Sequence, residues 1–228
     1  MGDVPVSIAL GIATKASETK SLIETLQESE TEMYKQKLIE SRSTKSAMVA
    51  SLLNILAAKS FETEEHTRAM QEAAQMIGAK LNLPDSELHR LDLLIDLHDI
   101  GKVNIAENIL TKKSSLTAEE WEAIRKHPEI GYRIAMATEE FAHVAEDILA
   151  HHERWDGAGY PQGLKGENIP LLARITAVAD AYEVMSSGRP YKKAMSRSEI
   201  IAEFKRCAGT HFDPELVKIF LSVLEVEG

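Results

Sequence analysis

Cysteine is all but absent from this chain of 228 residues, which carries Cys207 alone. A disulfide within the chain is therefore excluded, which fits a reducing compartment such as the cytoplasm. No apolar run is long enough to span a bilayer. The opening MGDVPVSIALGIA lacks the basic start of a secretory signal. Positive charge is also scarce, with 26 basic against 36 acidic residues and a net charge of −10. That balance argues against general nucleic-acid or membrane-surface binding, which needs a basic footprint. It leaves room for a small phosphate ligand held by a few local cations. Internal repeats and low-complexity segments are missing too. What is present is an apolar content of 44%, enough to bury the core of one large domain, or of one domain plus a fragment.

The apolar spacing predicts a mainly α fold. Pro5 to Thr14 reads as a short strand. A long connecting helix is expected from about Glu18 to Lys59, with Leu22, Leu26, Met33, Leu38, Met48, Leu52, Ile55 and Leu56 at helical spacing. Beyond Glu62 the pattern is helical almost throughout. Glu64 to Leu81 is amphipathic, and Pro84-Asp85-Ser86 is a helix start ahead of an apolar run from Leu88 to Asp99. Thr117 and Glu120 have capping-box spacing. Helices are expected over Glu129 to Ala137, Glu139 to His151, Ile169 to Met185, Ser196 to Cys207 and Asp213 to Val226. Asp156 to Asn168, with four glycines and Pro161, is loop. Trp121, Trp155 and the leucine rows are assigned to the core, and Lys112-Lys113 to solvated surface. His89, His143 and His211 are taken as ordinary surface or core histidines, and Cys207 as inert.

Histidine and acidic residues gather at particular places in this pattern. His98-Asp99 ends one apolar helix, His127 closes another, and His151-His152 closes a third. Neutral imidazole is the commonest metal ligand. Asp180 sits inside an apolar run, where a carboxylate is costly unless paired or metal-bound. Glu62 and His66 are four apart, which puts them on one face of a helix.

Two family resemblances follow from these residues. VPVSIALGIAT with SLIETLQESETEMYKQK is similar to the last strand and helix of a GGDEF domain, the diguanylate cyclase fold, although the GGDEF signature itself is absent. From about Phe61 to Glu225 the chain resembles an HD-GYP domain, a subgroup of the HD metal-dependent phosphohydrolases. The His-Asp doublet is His98-Asp99, followed by Gly101-Lys102. The later histidines are His127 and His151-His152, the latter in His-His-Glu. The Asp-Gly-x-Gly-Tyr-Pro run is Asp156 to Pro161, the late aspartate is Asp180, and Arg-Pro-Tyr-x-x-Ala is Arg189 to Ala194. His66 stands at the family's first histidine, and Glu62 at the glutamate of members that bind a third metal. Two departures are Tyr182-Glu183-Val184 for the usual Tyr-Asp-Ala, and Ser187-Gly188-Arg189-Pro190 for Ser-Asp-Arg-Pro.

The resemblance implies an HD-type helical bundle over residues 46–228, with residues 1–45 a GGDEF-like remnant and linker helix. It implies two or three divalent metal ions held by Glu62, His66, His98, Asp99, His127, His151, His152 and Asp180. An all-nitrogen-and-oxygen ligand set suits iron or manganese first, with nickel, zinc or magnesium as alternatives. The implied reaction is hydrolysis of cyclic di-GMP, with pGpG or GMP as the end product, by a metal-bridging hydroxide, with Asp99 as the shared ligand. Lys102, Tyr160, Arg189 and Lys192 would bind substrate, the cations gripping phosphate. A cyclic di-GMP sensor with little catalysis, and an HD phosphohydrolase for another cyclic dinucleotide, are the competing functions. The expected partners are an upstream regulatory domain and a second copy joined through the N-terminal helix.

Overall fold

Met70, Ala73, Ala74 and Ile77 recur at the spacing of one helical face, and all four are buried in helix α1 (Glu64–Lys80). That stripe packs on α7 (Leu171–Ser187), whose own buried stripe runs through Leu172, Ile175, Thr176, Ala179 and Glu183. The computed structural model describes residues 64–112, 114–187 and 193–226, together with residues 10, 12–14, 21–23, 25–26, 29–30, 33, 47, 49, 51–54 and 56. Two compact units are distinguished, Met1–Ala50 and Ser51–Gly228.

In the first unit, the described residues between 22 and 33 are helical, and Leu22, Ile23 and Leu26 are exposed. Of the strand expected over Pro5 to Thr14, Leu10 and residues 12–14 are described and carry no strand; the rest of that segment lies outside the described residues.

The second unit is a helical bundle. After α1, a tight connection leads to α2 (Asp85–Leu97), and a 3₁₀ turn (Ile100–Asn104) and the short α3 (Glu107–Leu110) follow. Next come α4 (Ala118–Arg125), α5 (His127–Met136), α6 (Ala145–Ala150), α7, α8 (Arg197–Cys207) and α9 (Pro214–Val226). The core is formed by Ile77, Leu91, Leu94, Ile95, Ile148, Ile175, Phe204 and Phe220, all fully enclosed. Each such side chain contributes about 1.5–3 kcal/mol of burial. Arg90 on α2 meets buried Asp147 on α6 at 2.5 Å, tying these helices together.

The expected capping box is formed: Thr117 Oγ1 accepts from the Glu120 amide, and Glu120 accepts from the Thr117 amide. Three expectations need correction. The helix expected from Glu139 starts only at Ala145, because the Thr138 carbonyl accepts from the amides of Phe141 and Ala142 in a tight turn. Trp121 is 49% exposed rather than core, since α4 is short and buries none of its residues. Lys112 is not simply solvated: its ammonium donates to both carboxylate oxygens of Glu120, at 2.8 and 2.6 Å. No helix among the described residues is long and apolar enough to cross a membrane.

The 3₁₀ turn lies directly on α5. A Cβ at Gly101 would sit 2.0 Å from the His127 carbonyl oxygen and 2.7 Å from the Gly131 nitrogen. Both obstacles are backbone, so neither can swing aside. This glycine sets how near Asp99 comes to His127. Gly101→Ala should therefore destabilise the protein by about 1–3 kcal/mol, the usual cost of overpacking. Its melting temperature should fall by several degrees, and its metal content with it, as read by calorimetry and elemental analysis.

Candidate metal centre

Isoleucine precedes histidine by three residues at three helix ends: Ile95 and His98, Ile124 and His127, Ile148 and His151. The last turn of a helix leaves carbonyls without an intrahelical donor. Each of these histidines uses one of them. Nδ1 lies 2.7 Å from the Ile95 oxygen in His98, 2.7 Å from the Ile124 oxygen in His127, and 2.6 Å from the Ile148 oxygen in His151. A carbonyl can only accept, so Nδ1 carries the proton and Nε2 presents a lone pair.

Those lone pairs converge. His127 Nε2 is 3.2 Å from His151 Nε2 and 3.1 Å from Asp99 Oδ1. His98 Nε2 is 3.2 Å from Asp99 Oδ2. Ligand atoms of Asp99, His127, His151 and His152 all lie within 4.8 Å of one another. Asp99 Oδ1 is buried with no hydrogen-bond donor. A knot of buried electron-pair donors without a proton between them is unfavourable unless a cation sits among them. Protonation is a poor remedy. Burial, followed by the charges of neighbouring histidines, pushes His151 and His152 well below the ordinary imidazole range. Burial alone would raise the Asp99 carboxyl, but Lys102 and the histidines hold it well below the usual carboxylate range. The donor set therefore fits divalent metal ions. Lys102 Nζ stands 2.5 Å from Asp99 Oδ2.

Three expected ligands lie outside this group of four: His98, which adjoins it through Asp99, and two on other helices. Asp180 on α7 lines a cavity of about 510 Å³ together with His151, His152, Met185, Met195 and Phe212. His66 on α1 directs Nδ1 at the carboxylate of Glu183. Glu62, Arg189 and Lys192 lie outside the described residues.

The loop after His152 is built from that point outward. Buried Glu153 accepts the amides of Gln162, Gly163 and Leu164 at 2.6, 3.1 and 3.0 Å. Asp156 accepts from Arg154 at 3.1 and 2.6 Å and from the Ala158 amide at 3.0 Å. The Arg154 bond holds its carboxyl well below the usual range. The loop's first two glycines serve different ends. Gly157 has φ +83°, whereas a Cβ at Gly159 would lie 2.3 Å from the Arg154 nitrogen. Tyr160 is thereby laid on His152, ring centroids 4.9 Å apart and 27° between planes, with the Arg125 guanidinium 5.4 Å from its centroid. Burial, with the Asp99 charge next, pushes its phenol up to about 12. Sequence reasoning gave no role to Glu153 or Glu183 and missed Arg125. A carboxylate beside a histidine pair or inside an apolar helix is a readable signal for the first two; Arg125 carries none.

Residues 50–216 match the family described as HD domain, and the chain belongs to that family. A 3′3′-cGAMP-specific phosphodiesterase 2 of Vibrio cholerae is 36% identical over 81% of this chain and 36% of its own length. A cyclic di-GMP phosphodiesterase of Thermotoga maritima is 37% identical over 77% of this chain and 48% of its own. The chain thus spans about half or less of these curated relatives. A solved cyclic GMP-AMP specific phosphodiesterase of V. cholerae shares the fold, with a TM-score of 0.58 at 22% identity over 78% of this chain and 47% of that one.

If a cation balances the lone-pair cluster, its removal must cost stability. A ligand present at 100 times its dissociation constant adds about 2.7 kcal/mol. Exhaustive chelation should lower the melting temperature, and Mn²⁺ should restore it. In His127→Ala or His151→Ala the restoration should shrink and bound metal should fall by elemental analysis.

Proposed function

We propose that the chain is the HD-GYP part of a metal-dependent phosphodiesterase that hydrolyses cyclic di-GMP to pGpG or GMP. The observation that carries this reading is the convergence of unprotonated Nε2 atoms on Asp99. The names of the relatives supply the substrate class. The ligand set is read as His98, Asp99, His127, His151, His152 and Asp180, with Glu62 and His66 taking a third ion. Asp99 is the shared ligand: its Oδ1 faces His127, and its Oδ2 faces His98 and Lys102. Bound divalent ions supply Lewis-acid activation of water and neutralise phosphate charge.

The protein's own groups do the rest. Lys102 keeps Asp99 ionised and brings a positive charge to the rim of the centre, where a phosphate oxygen would lie. Tyr160 stays protonated far above neutrality and so donates a hydrogen bond. His152 already covers one face of its ring, which favours that role over stacking on guanine. The cavity of about 510 Å³ beside Asp180 is of ligand size. Its Met185 and Met195 flank the segment that holds Arg189 and Lys192, which are assigned to the phosphate oxygens. Residues 1–45 are read as a GGDEF-like remnant with a linker helix. The exposed Leu22, Ile23 and Leu26 support pairing with a second copy, and an upstream regulatory domain is the other expected partner. The cysteine-poor composition supports a cytoplasmic location.

Relatives named for both nucleotides match at similar identity, so another cyclic dinucleotide is the second reading. The test offers cyclic di-GMP and 3′3′-cGAMP side by side to the full chain, loaded with Fe²⁺ or Mn²⁺ under reducing conditions. Faster conversion of cyclic di-GMP to pGpG is expected; faster 3′3′-cGAMP turnover selects the second reading, and tight binding with no product selects a sensor. Asp99→Ala should abolish turnover while preserving helical circular dichroism. Tyr160→Phe should slow it about tenfold, the worth of one hydrogen bond of about 1–1.5 kcal/mol.

A further inference from the structure

His66 departs from the rule that His98, His127 and His151 obey. Those three sit at or just past the last turns of α2, α4 and α6, where free carbonyls are at hand for Nδ1. His66 lies on α1 far from its last turn, the kind of position in which the other three find their carbonyls. Its ring has a partner from elsewhere in the fold. It comes from α7: the Glu183 carboxylate meets His66 Nδ1, and the Glu183 side chain is 1% exposed.

The position of Glu183 makes this pairing more than a surface contact. It ends the buried stripe Leu172, Ile175, Thr176, Ala179 that packs on α1. A carboxylate among such residues is expensive unless it is partnered. It also stands three residues after Asp180, so the two acids are neighbours along one helix. Asp180 turns into the cavity shared with His151 and His152, whereas Glu183 turns to α1. One helix therefore supplies an acid to the cavity beside the histidine pair and another to His66.

We propose that Glu183 is the positioning residue for His66: it accepts the Nδ1 proton, fixes that tautomer, and leaves Nε2 as the nitrogen that binds a divalent ion. This rests on the reading of His66 as a metal ligand. A carboxylate partner raises the basicity of a ligating imidazole beyond what a carbonyl does, so His66 is the most strongly donating histidine of the set.

The test titrates Mn²⁺ into the chelator-stripped full chain, following affinity and stoichiometry by competition with a chromophoric chelator. Wild type, Glu183→Gln, Glu183→Ala and His66→Ala are compared. His66→Ala should lose one ion per chain. Glu183→Ala should weaken one ion about 10- to 100-fold and leave the others unchanged. Glu183→Gln keeps an acceptor oxygen and loses the charge, so it should fall between wild type and alanine. The metal-free melting temperature of Glu183→Gln should match wild type, which separates positioning from mere packing. Loss of an ion in His66→Ala, with wild-type affinities in both Glu183 variants, would overturn the proposal and leave the ligand reading standing. Unchanged stoichiometry in His66→Ala would overturn both. Equal weakening of every ion, with a lower metal-free melting temperature in Glu183→Gln, would make Glu183 structural and also overturn the proposal.

Discussion

Three hydrogen bonds from histidine Nδ1 to the carbonyl three residues earlier are the constraint on which the centre depends. They use what a helix end has in surplus, an acceptor with no donor, to fix both ring orientation and tautomer. His98, His127 and His151 then have no freedom to turn their Nε2 atoms away from Asp99. The helices are aimed at one point because their last turns must meet there. The electrostatic strain of that meeting is the physical argument for a bound cation.

Packing serves the same end. Gly101 lets the 3₁₀ turn reach the backbone of α5, which brings Asp99 within 3.1 Å of His127. On another face of the bundle α1 packs on α7, and His66 and Glu183 pair across that contact. Large side chains such as Leu94, Ile148 and Phe220 fill the core behind the centre. The smallest residues are at the contacts where ligand-bearing backbones must come close.

The helical architecture was legible in the sequence because its signals are local. The period from Met70 to Ile77, the Thr117–Glu120 box and the glycine-rich stretch after Asp156 each depend on a few neighbouring residues. What escaped depends on distant ones. Trp121 looked like core because nothing in its own helix shows how little α4 buries. Lys112 looked solvated because its partner Glu120 was already assigned to a cap. The pairing of Glu183 with His66 joins two helices over a hundred residues apart in the chain. The grouping of Asp99 with His127, His151 and His152 was anticipated by residue type and order, yet the repeated Ile-x-x-His spacing that orients three of them passed unread. That spacing acquires meaning only once each histidine is known to end a helix.

The anchoring of the loop by Glu153 has a consequence for how such a protein can diversify. His152 and Glu153 are adjacent in the chain. One lies under the Tyr160 ring, while the other grips three amides beyond it. The near wall of the cavity is thus cast in one piece with the histidine pair, and a change made to suit a new guest would disturb the cluster itself. Freedom to vary is left to other lining residues such as Met185, Met195 and Phe212, none of which belongs to the four-residue cluster. Two proteins with the same four-residue cluster can therefore prefer different guests, with their differences concentrated at such positions.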